Sequence, residues 1–235
     1  MSETRAPARA VHRADARAWL ADPRALVVDG GASVVTSLPD WSELQGTTLD
    51  AWRRFFVDAA ALILTRLPDE GVAIFVQSDI IADGVWIDKG ALVQEAAARV
   101  GMPLIFHKIV NRVPAGTVTI GRASFSHMLG FARAVRPALR RSTPDVIDGG
   151  PQPGPRSLGV DACLAACRFV RDETTTRTVV DPFCGLGTVL AAANALGLDA
   201  IGVDTSARAV REARRLRFPL DTFDGPQRTL DRNRA

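Results

Sequence analysis

Cysteine is scarce in this 235-residue chain, and its three copies do not fall into a disulfide framework or a zinc-ligand spacing. Cys163 and Cys167 are four residues apart, so they read as core residues on one helix face, and no metal is expected. The sequence has no apolar run long enough to cross a bilayer, and its start lacks the apolar segment of a signal peptide. It has no internal repeat. A strong charge excess is missing too: the net charge is +3, although the pI is about 9.1 and arginine dominates the bases. That leans only weakly toward a polyanionic partner. Disulfide-stapled, membrane-spanning and repeat architectures are thereby set aside. What is left is a cytoplasmic, reduced, single α/β domain with 47% hydrophobic residues, enough for a sizeable core.

Residues 1–9 are polar and expected to be disordered, 10–217 form the domain, and 218–235 are a frayed tail. Within the domain, strands are expected near Ala10–Ala14, Ser33–Thr36, Val72–Val76, Pro103–Val110, Ala123–Phe131, Thr178–Val180 and Ala200–Val203. Helical spacing covers Ala16–Leu20, Leu49–Leu67, Lys89–Val100, Leu158–Val170, Val189–Leu196 and a last segment capped by Ser206. Residues 136–156, rich in Pro, Gly and Arg, read as a loop dividing a half at 10–135 from a half at 157–217. Strands alternating with helices, with a hairpin-like pair on one side, imply a doubly wound, mostly parallel sheet with one antiparallel strand.

Thr178 to Asp204 organises the rest. A β-branched strand runs into Asp181-Pro182-Phe183-Cys184, then Gly185-Leu186-Gly187-Thr188 opens a helix, and a second strand ends at Asp204. Such a βαβ unit binds ligands at its strand ends. The glycine turn offers backbone N–H groups at a helix N-terminus, and an acid after the second strand can accept both ribose hydroxyls. A dinucleotide is disfavoured because Leu190 stands where that fingerprint wants a third glycine.

Residues 181–188, Asp-Pro-Phe-Cys-Gly-Leu-Gly-Thr, closely resemble motif I of S-adenosylmethionine-dependent methyltransferases, in the form used by amino-group DNA methylases. The resemblance covers nearly the whole chain. It implies the Rossmann-like, seven-stranded methyltransferase sheet in the circularly permuted order of the β group, with the acceptor motif ahead of the cofactor motif. The family's third to fifth strands would then lie at Val11, Val34 and Val72, and its last pair at Leu104 and Ser126. Its first two strands would close the chain. The implied S-adenosyl-L-methionine site comprises Asp15, Ala16, Ser37, Gly159, Asp181, Phe183, Cys184, Gly185, Gly187, Thr188, Asp204 and Thr205. Asp15 would reach the adenine, and Gly159, in a segment similar to motif X, would meet the methionine end.

Ser37-Leu38-Pro39-Asp40 sits where the group has Asp/Asn/Ser-Pro-Pro-aromatic, so the resemblance makes these four the catalytic residues. An exocyclic amine is a poor nucleophile because its lone pair is delocalised into the base. A side-chain oxygen and a carbonyl accept its hydrogens while a ring stacks on the base, and transfer is then mainly positioning. Ser37 keeps an acceptor, Leu38 its carbonyl and Pro39 the rigid turn. Asp40 replaces the ring, with Trp41 one residue late. Asp40 is either a base or orienting group, or the N-cap of the Leu49 helix. Trp41, Lys108, Arg112 and Arg122 are candidate acceptor-binding residues, and His107, His127, Arg136, Arg140 and Arg141 could extend a phosphate-binding rim.

The DNA methylases of the group insert a target-recognition region after the hairpin, where this chain has only the loop 136–156. The expected acceptor is therefore a base in structured RNA, recognised by shape, with a homodimer or a partner subunit possible. The other readings are DNA amino-methylation with a separate recognition subunit, a small-molecule or protein methyltransferase, and an inactive cofactor-binding subunit.

Overall fold

Short β-branched runs bounded by polar residues become fully buried central strands, and amphipathic helices cover both faces of the resulting sheet. The computed structural model describes residues 5–137 and 143–218. In chain order the elements are β1 (Arg9–Arg13), α1 (Ala16–Ala21), β2 (Ala32–Thr36), α2 (Leu49–Arg66), β3 (Ala73–Gln77), β4 (Ile80–Ala82), β5 (Val85–Ile87) and α3 (Lys89–Arg99). They continue with β6 (Leu104–Asn111), β7 (Phe125–Phe131), β8 (Val146–Asp148), α4 (Val160–Glu173), β9 (Thr178–Asp181), α5 (Thr188–Ala195), β10 (Asp199–Asp204) and α6 (Ala207–Arg215).

The main sheet runs β1-β10-β9-β2-β3-β7-β6-β8, and β4 pairs with β5 in a separate hairpin. All neighbours are parallel except β7, which is antiparallel to both β3 and β6. The mostly parallel, doubly wound sheet with one antiparallel strand is thus as expected. Helices α4, α5 and α6 close one face around Cys163, Cys167, Leu164 and Leu190. Helices α1, α2 and α3 close the other around Leu20, Trp52, Phe56 and Val93.

Three expectations need correction. The sheet has eight strands, because β8 pairs with β6 (Ile109 beside Val146) inside what reads as a loop in the sequence. Its three residues are largely exposed and offer no apolar alternation to read. Within the N-terminal segment, residues 5–9 are anchored: Arg5 and the Ala8 N–H bond the Asp199 carboxylate at 2.5 and 2.6 Å, and Asn194 donates to the Ala8 carbonyl. In the tail, Phe218 packs on the core. Residues 1–4 and 219–235 lie outside the described residues.

Helix α2 sets the position of the turn that follows β2. Trp52 is wholly buried, tilts onto Phe56 with ring centroids 5.4 Å apart, and donates its indole N–H to the Pro39 carbonyl at 3.1 Å. Trp52→Phe removes that donor and part of a buried ring, so it should lower stability by about 2 kcal/mol. Chemical denaturation of the two proteins checks this value.

Candidate functional site

The parallel strands β1, β10, β9 and β2 present their carboxyl ends together, and the sequence puts its polar turns there. Asp181 ends β9. It is 3% exposed, and its Oδ1 accepts from the Thr36 hydroxyl at 2.7 Å and from the Phe183 N–H at 3.1 Å. One carboxylate therefore joins the end of β2, where Ser37 begins the second turn, to the start of the glycine turn. Burial pushes the Asp181 carboxyl up to about 7, against the Thr36 and Phe183 hydrogen bonds.

The glycine turn is braced from β10. Asp204 accepts from the Gly185 N–H at 3.1 Å and from the Ser206 N–H at 2.7 Å, and Cys184 N–H bonds the Val203 carbonyl. Asp204 is thus a structural tie as well as an expected hydroxyl acceptor. The two glycines of the turn differ in kind. A Cβ on Gly187 would lie 2.7 Å from the Ala213 Cα of α6, whereas a Cβ on Gly185 would meet nothing within 4 Å. Both have positive φ, at +83° and +48°. Gly187 therefore admits a helix, and Gly185 is the one that leaves open space beside the backbone. A valine at 187 would displace α6 rather than simply obstruct a ligand.

The remaining expected cofactor residues are spread around this turn. Asp15 caps α1, accepting from Ala18 N–H at 2.9 Å, with Ala16 buried behind it. The Ala14 N–H bonds the Asp204 carbonyl, so this corner abuts the end of β10. Phe183 lies edge-on to Phe55 at 6.4 Å, and the Arg17 guanidinium stands 4.8 Å over the Phe55 ring. Cys184 and Thr188 are buried, and burial raises the Cys184 thiol, which makes it inert as a nucleophile. Thr205 is exposed and holds Arg13 through its carbonyl at 3.2 Å. Gly159 is the N-cap of α4.

A cavity of about 480 Å³ opens at the ends of β2 and β3 and against the start of α4. It brings together Ser37, Leu38, Asp40, Trp41, Arg112, Arg122 and Gly159 from the expected set. Lys108 is elsewhere: its ammonium bonds the Thr143 and Pro144 carbonyls on the far edge of β6. Arg136 turns to the carbonyls of Arg133 and Val135, while Arg140 and Arg141 lie outside the described residues. Arg156, by contrast, joins the cavity wall. Burial and then the charge of Arg122 lower the Arg112 guanidinium.

Asp40 does not cap α2. Thr48 does, accepting from Ala51 N–H at 3.2 Å. The Asp40 carboxylate instead pairs with the ammonium of Lys89, whose side chain is 2% exposed against 40% for Asp40. Removing Asp40 would leave a buried ammonium unpaired, a heavier loss than a helix cap. Sequence reasoning passed over Lys89 because a lysine opening a helix is normally solvated.

It also passed over the cluster behind it. Asp79 Oδ2 accepts the Trp86 indole N–H at 3.0 Å and lies 3.1 Å from His127 Nε2, while Asp79 Oδ1 accepts the Lys89 N–H at 2.8 Å. His107 Nε2 is 3.0 Å from His127 Nδ1. Burial alone would raise the Asp79 carboxyl, but the bonds from His127 and the Lys89 N–H leave it lowered. The Asp79 bond raises the His127 imidazole, and burial followed by the neighbouring His127 lowers that of His107. Only the two histidines drew notice in the sequence.

This sheet and its strand-end cavity define the class I methyltransferase fold. A family model described as "DNA methylase" (N6_N4_Mtase) matches residues 170–215, the stretch from the end of α4 through α6. No curated protein sequence matches the chain. Among solved structures, a candidate DNA modification methylase from Thermus thermophilus, complexed with S-adenosyl-L-methionine, is similar over 88% of this chain and 92% of its own. The TM-score is 0.63 and the identity 21%. PvuII DNA methyltransferase, cytosine-N4-specific, is similar over 89% of this chain and 88% of its own, with TM-score 0.67 and 14% identity. The M1.HpyAVI–SAM complex covers 88% and 97%, with TM-score 0.58 and 13% identity.

The raised Asp181 carboxyl gives a pH signature. The folded protein keeps a proton that the unfolded chain loses near pH 4, so the stability from this group falls as pH rises from about 4 to about 7. Asp181→Asn keeps an acceptor for Thr36 and Phe183. Its melting temperature should fall less than that of the wild type between pH 5 and 7.5, as scanning calorimetry in matched buffers can measure.

Proposed function

We propose that this protein is an S-adenosylmethionine-dependent methyltransferase acting on an amino group of a DNA base. The observation that carries the reading is the adjacency of two turns, 181–188 and 37–40, joined by the Thr36–Asp181 hydrogen bond. The first has an open glycine at Gly185 and an acid at Asp204, which suit adenosine. The second has a hydroxyl at Ser37 and the carbonyl of Leu38, which suit the two hydrogens of an exocyclic amine.

The cofactor supplies an electrophilic methyl group. The chain's own residues do the placing. Asp204 would accept from ribose hydroxyls, Asp15 and Phe183 would hold the adenine, and Gly159 and the Asp181 end of β9 would hold the methionine part. Ser37 Oγ and the Leu38 carbonyl would accept hydrogen bonds from the amine and turn its lone pair toward the methyl. Trp41 lines the same cavity, with its indole N–H fixed to the Thr47 carbonyl at 2.7 Å, and it offers the ring that position 40 lacks. Asp40, held by Lys89, orients this turn. Arg112 and Arg122, two cations lining the cavity, suit a phosphate of the acceptor strand.

DNA replaces the RNA expected from sequence. The methylases matched by the family model and the solved structures are named as acting on DNA, and none supports an RNA preference. The missing recognition region then points to a partner subunit or a second copy for sequence choice. The chain order, with the acceptor turn ahead of the cofactor turn, supports the permuted arrangement. The location is read as cytoplasmic; no helix among the described residues is long and apolar enough to cross a membrane.

Transfer of labelled methyl from S-adenosylmethionine to duplex DNA, single-stranded DNA and RNA tests this reading. Label should enter DNA as a methylated exocyclic amine in a nucleoside digest. Ser37→Ala should slow transfer by roughly tenfold or more, as loss of a hydrogen-bond acceptor for the amine implies. Label in RNA alone, or none in any nucleic acid, would contradict the assignment.

A further inference from the structure

Behind the cavity, three side chains from separate segments converge. Asp79 follows β3, Asp88 precedes α3 and His127 lies on β7. Asp79 Oδ2 is 3.1 Å and Asp88 Oδ1 is 3.6 Å from His127 Nε2, and the three atoms lie within 4.8 Å of one another. Two oxygens and one imidazole nitrogen bound to a tetrahedral Zn²⁺ at about 2.1 Å would stand roughly 3.4 Å apart. The two separations from His127 Nε2 bracket that edge. We propose that Asp79, Asp88 and His127 form a binding site for a divalent cation of the zinc type, in the wall of the acceptor cavity.

The surroundings hold each ligand as a metal site needs. The other oxygen of Asp79 is fixed by the Lys89 N–H at 2.8 Å, and Trp86 Nε1–H steadies the ligand oxygen at 3.0 Å. Asp88 is fixed by the Ala91 N–H at 2.8 Å. His127 Nε2 bonds Asp79 Oδ2 at 3.1 Å, so a metal would take the place of the proton they share, and His107 Nε2, 3.0 Å from His127 Nδ1, can then accept the remaining ring N–H. Gly90 lies against the His127 ring, where a Cβ would come within 2.9 Å of it, so the imidazole cannot swing away on that side. The Lys89 ammonium does not compete for these carboxylates, because Asp40 takes it.

A second observation comes from Gln77. It is wholly buried, and its Oε1 and Nε2 have no hydrogen-bond partner. It pairs with His127 across β3 and β7, so the two side chains share a face as direct neighbours. Buried amide groups are almost always satisfied, so this one leaves a donor and an acceptor for a group bound beside His127. A water in the open fourth position of the metal would donate to the Oε1 of that amide. The charges also fit, since two carboxylates and a neutral imidazole balance a dication. The site would fasten the β4–β5 hairpin and the start of α3 to the sheet, and so fix Lys89 and through it Asp40.

Metal content and zinc titration of the purified full-length protein test this without reference to methyl transfer. After chelator treatment, calorimetry should show one zinc bound per chain, and the melting temperature should rise with zinc and fall again with chelator. Asp88→Asn keeps the cap of α3, since asparagine caps as well as aspartate, and should weaken zinc binding by about 100-fold. His107→Ala, which removes only the positioning partner, should weaken it by about tenfold. The site is overturned if the wild type binds no stoichiometric zinc, or if folded Asp88→Asn binds it as tightly as wild type.

Discussion

The hydrogen bond from the Thr36 hydroxyl to the buried Asp181 carboxylate is the constraint on which the site depends. It joins the ends of two adjacent parallel strands, one leading into the glycine turn and the other into Ser37-Leu38-Pro39-Asp40. Each turn is then braced on its outer side. Asp204 holds the glycine turn from β10, and the Trp52 indole holds the Pro39 carbonyl from α2. A cofactor bound at the first turn and an amine bound at the second, as proposed, would be brought together by the sheet itself. Proximity of this kind accounts for most of what such a reaction needs.

Burial gives this arrangement an electrostatic character. A carboxyl raised to about 7 at the head of β9 is only partly committed to its charge. A cation near it would complete the ionisation, which suits the ammonium and sulfonium of the proposed cofactor. At the 37–40 turn the charges are already matched, because Lys89 and Asp40 pair with one another in the cavity wall. Arg112 and Arg122, both lining the cavity, make it positive on that side.

Periodicity made the sheet and six helices legible in the sequence, because apolar residues at strand and helix spacing have one way to be buried. The eight residues 181–188 made the glycine turn legible, since Gly185 and Gly187 both take a positive φ, which favours glycine. The hairpin at Ile80–Ile87 and the edge strand Val146–Asp148 were not legible. Their strands are three residues long and partly exposed, too short for any pattern. Lys89 and Asp79 were missed for a different reason. Each is buried because of partners about 50 residues away, Asp40 and His127, and no local spacing records that. Gly187 was legible as a required glycine, but its neighbour proved to be Ala213 rather than a ligand.

The most direct test of the central claim is the binding of S-adenosylhomocysteine, measured by calorimetry beside NAD. The account predicts one site per chain for S-adenosylhomocysteine, weakened by a valine at Gly185, and no binding of NAD. Binding of NAD, or equal affinity for S-adenosylhomocysteine in the folded Gly185→Val protein, would contradict it.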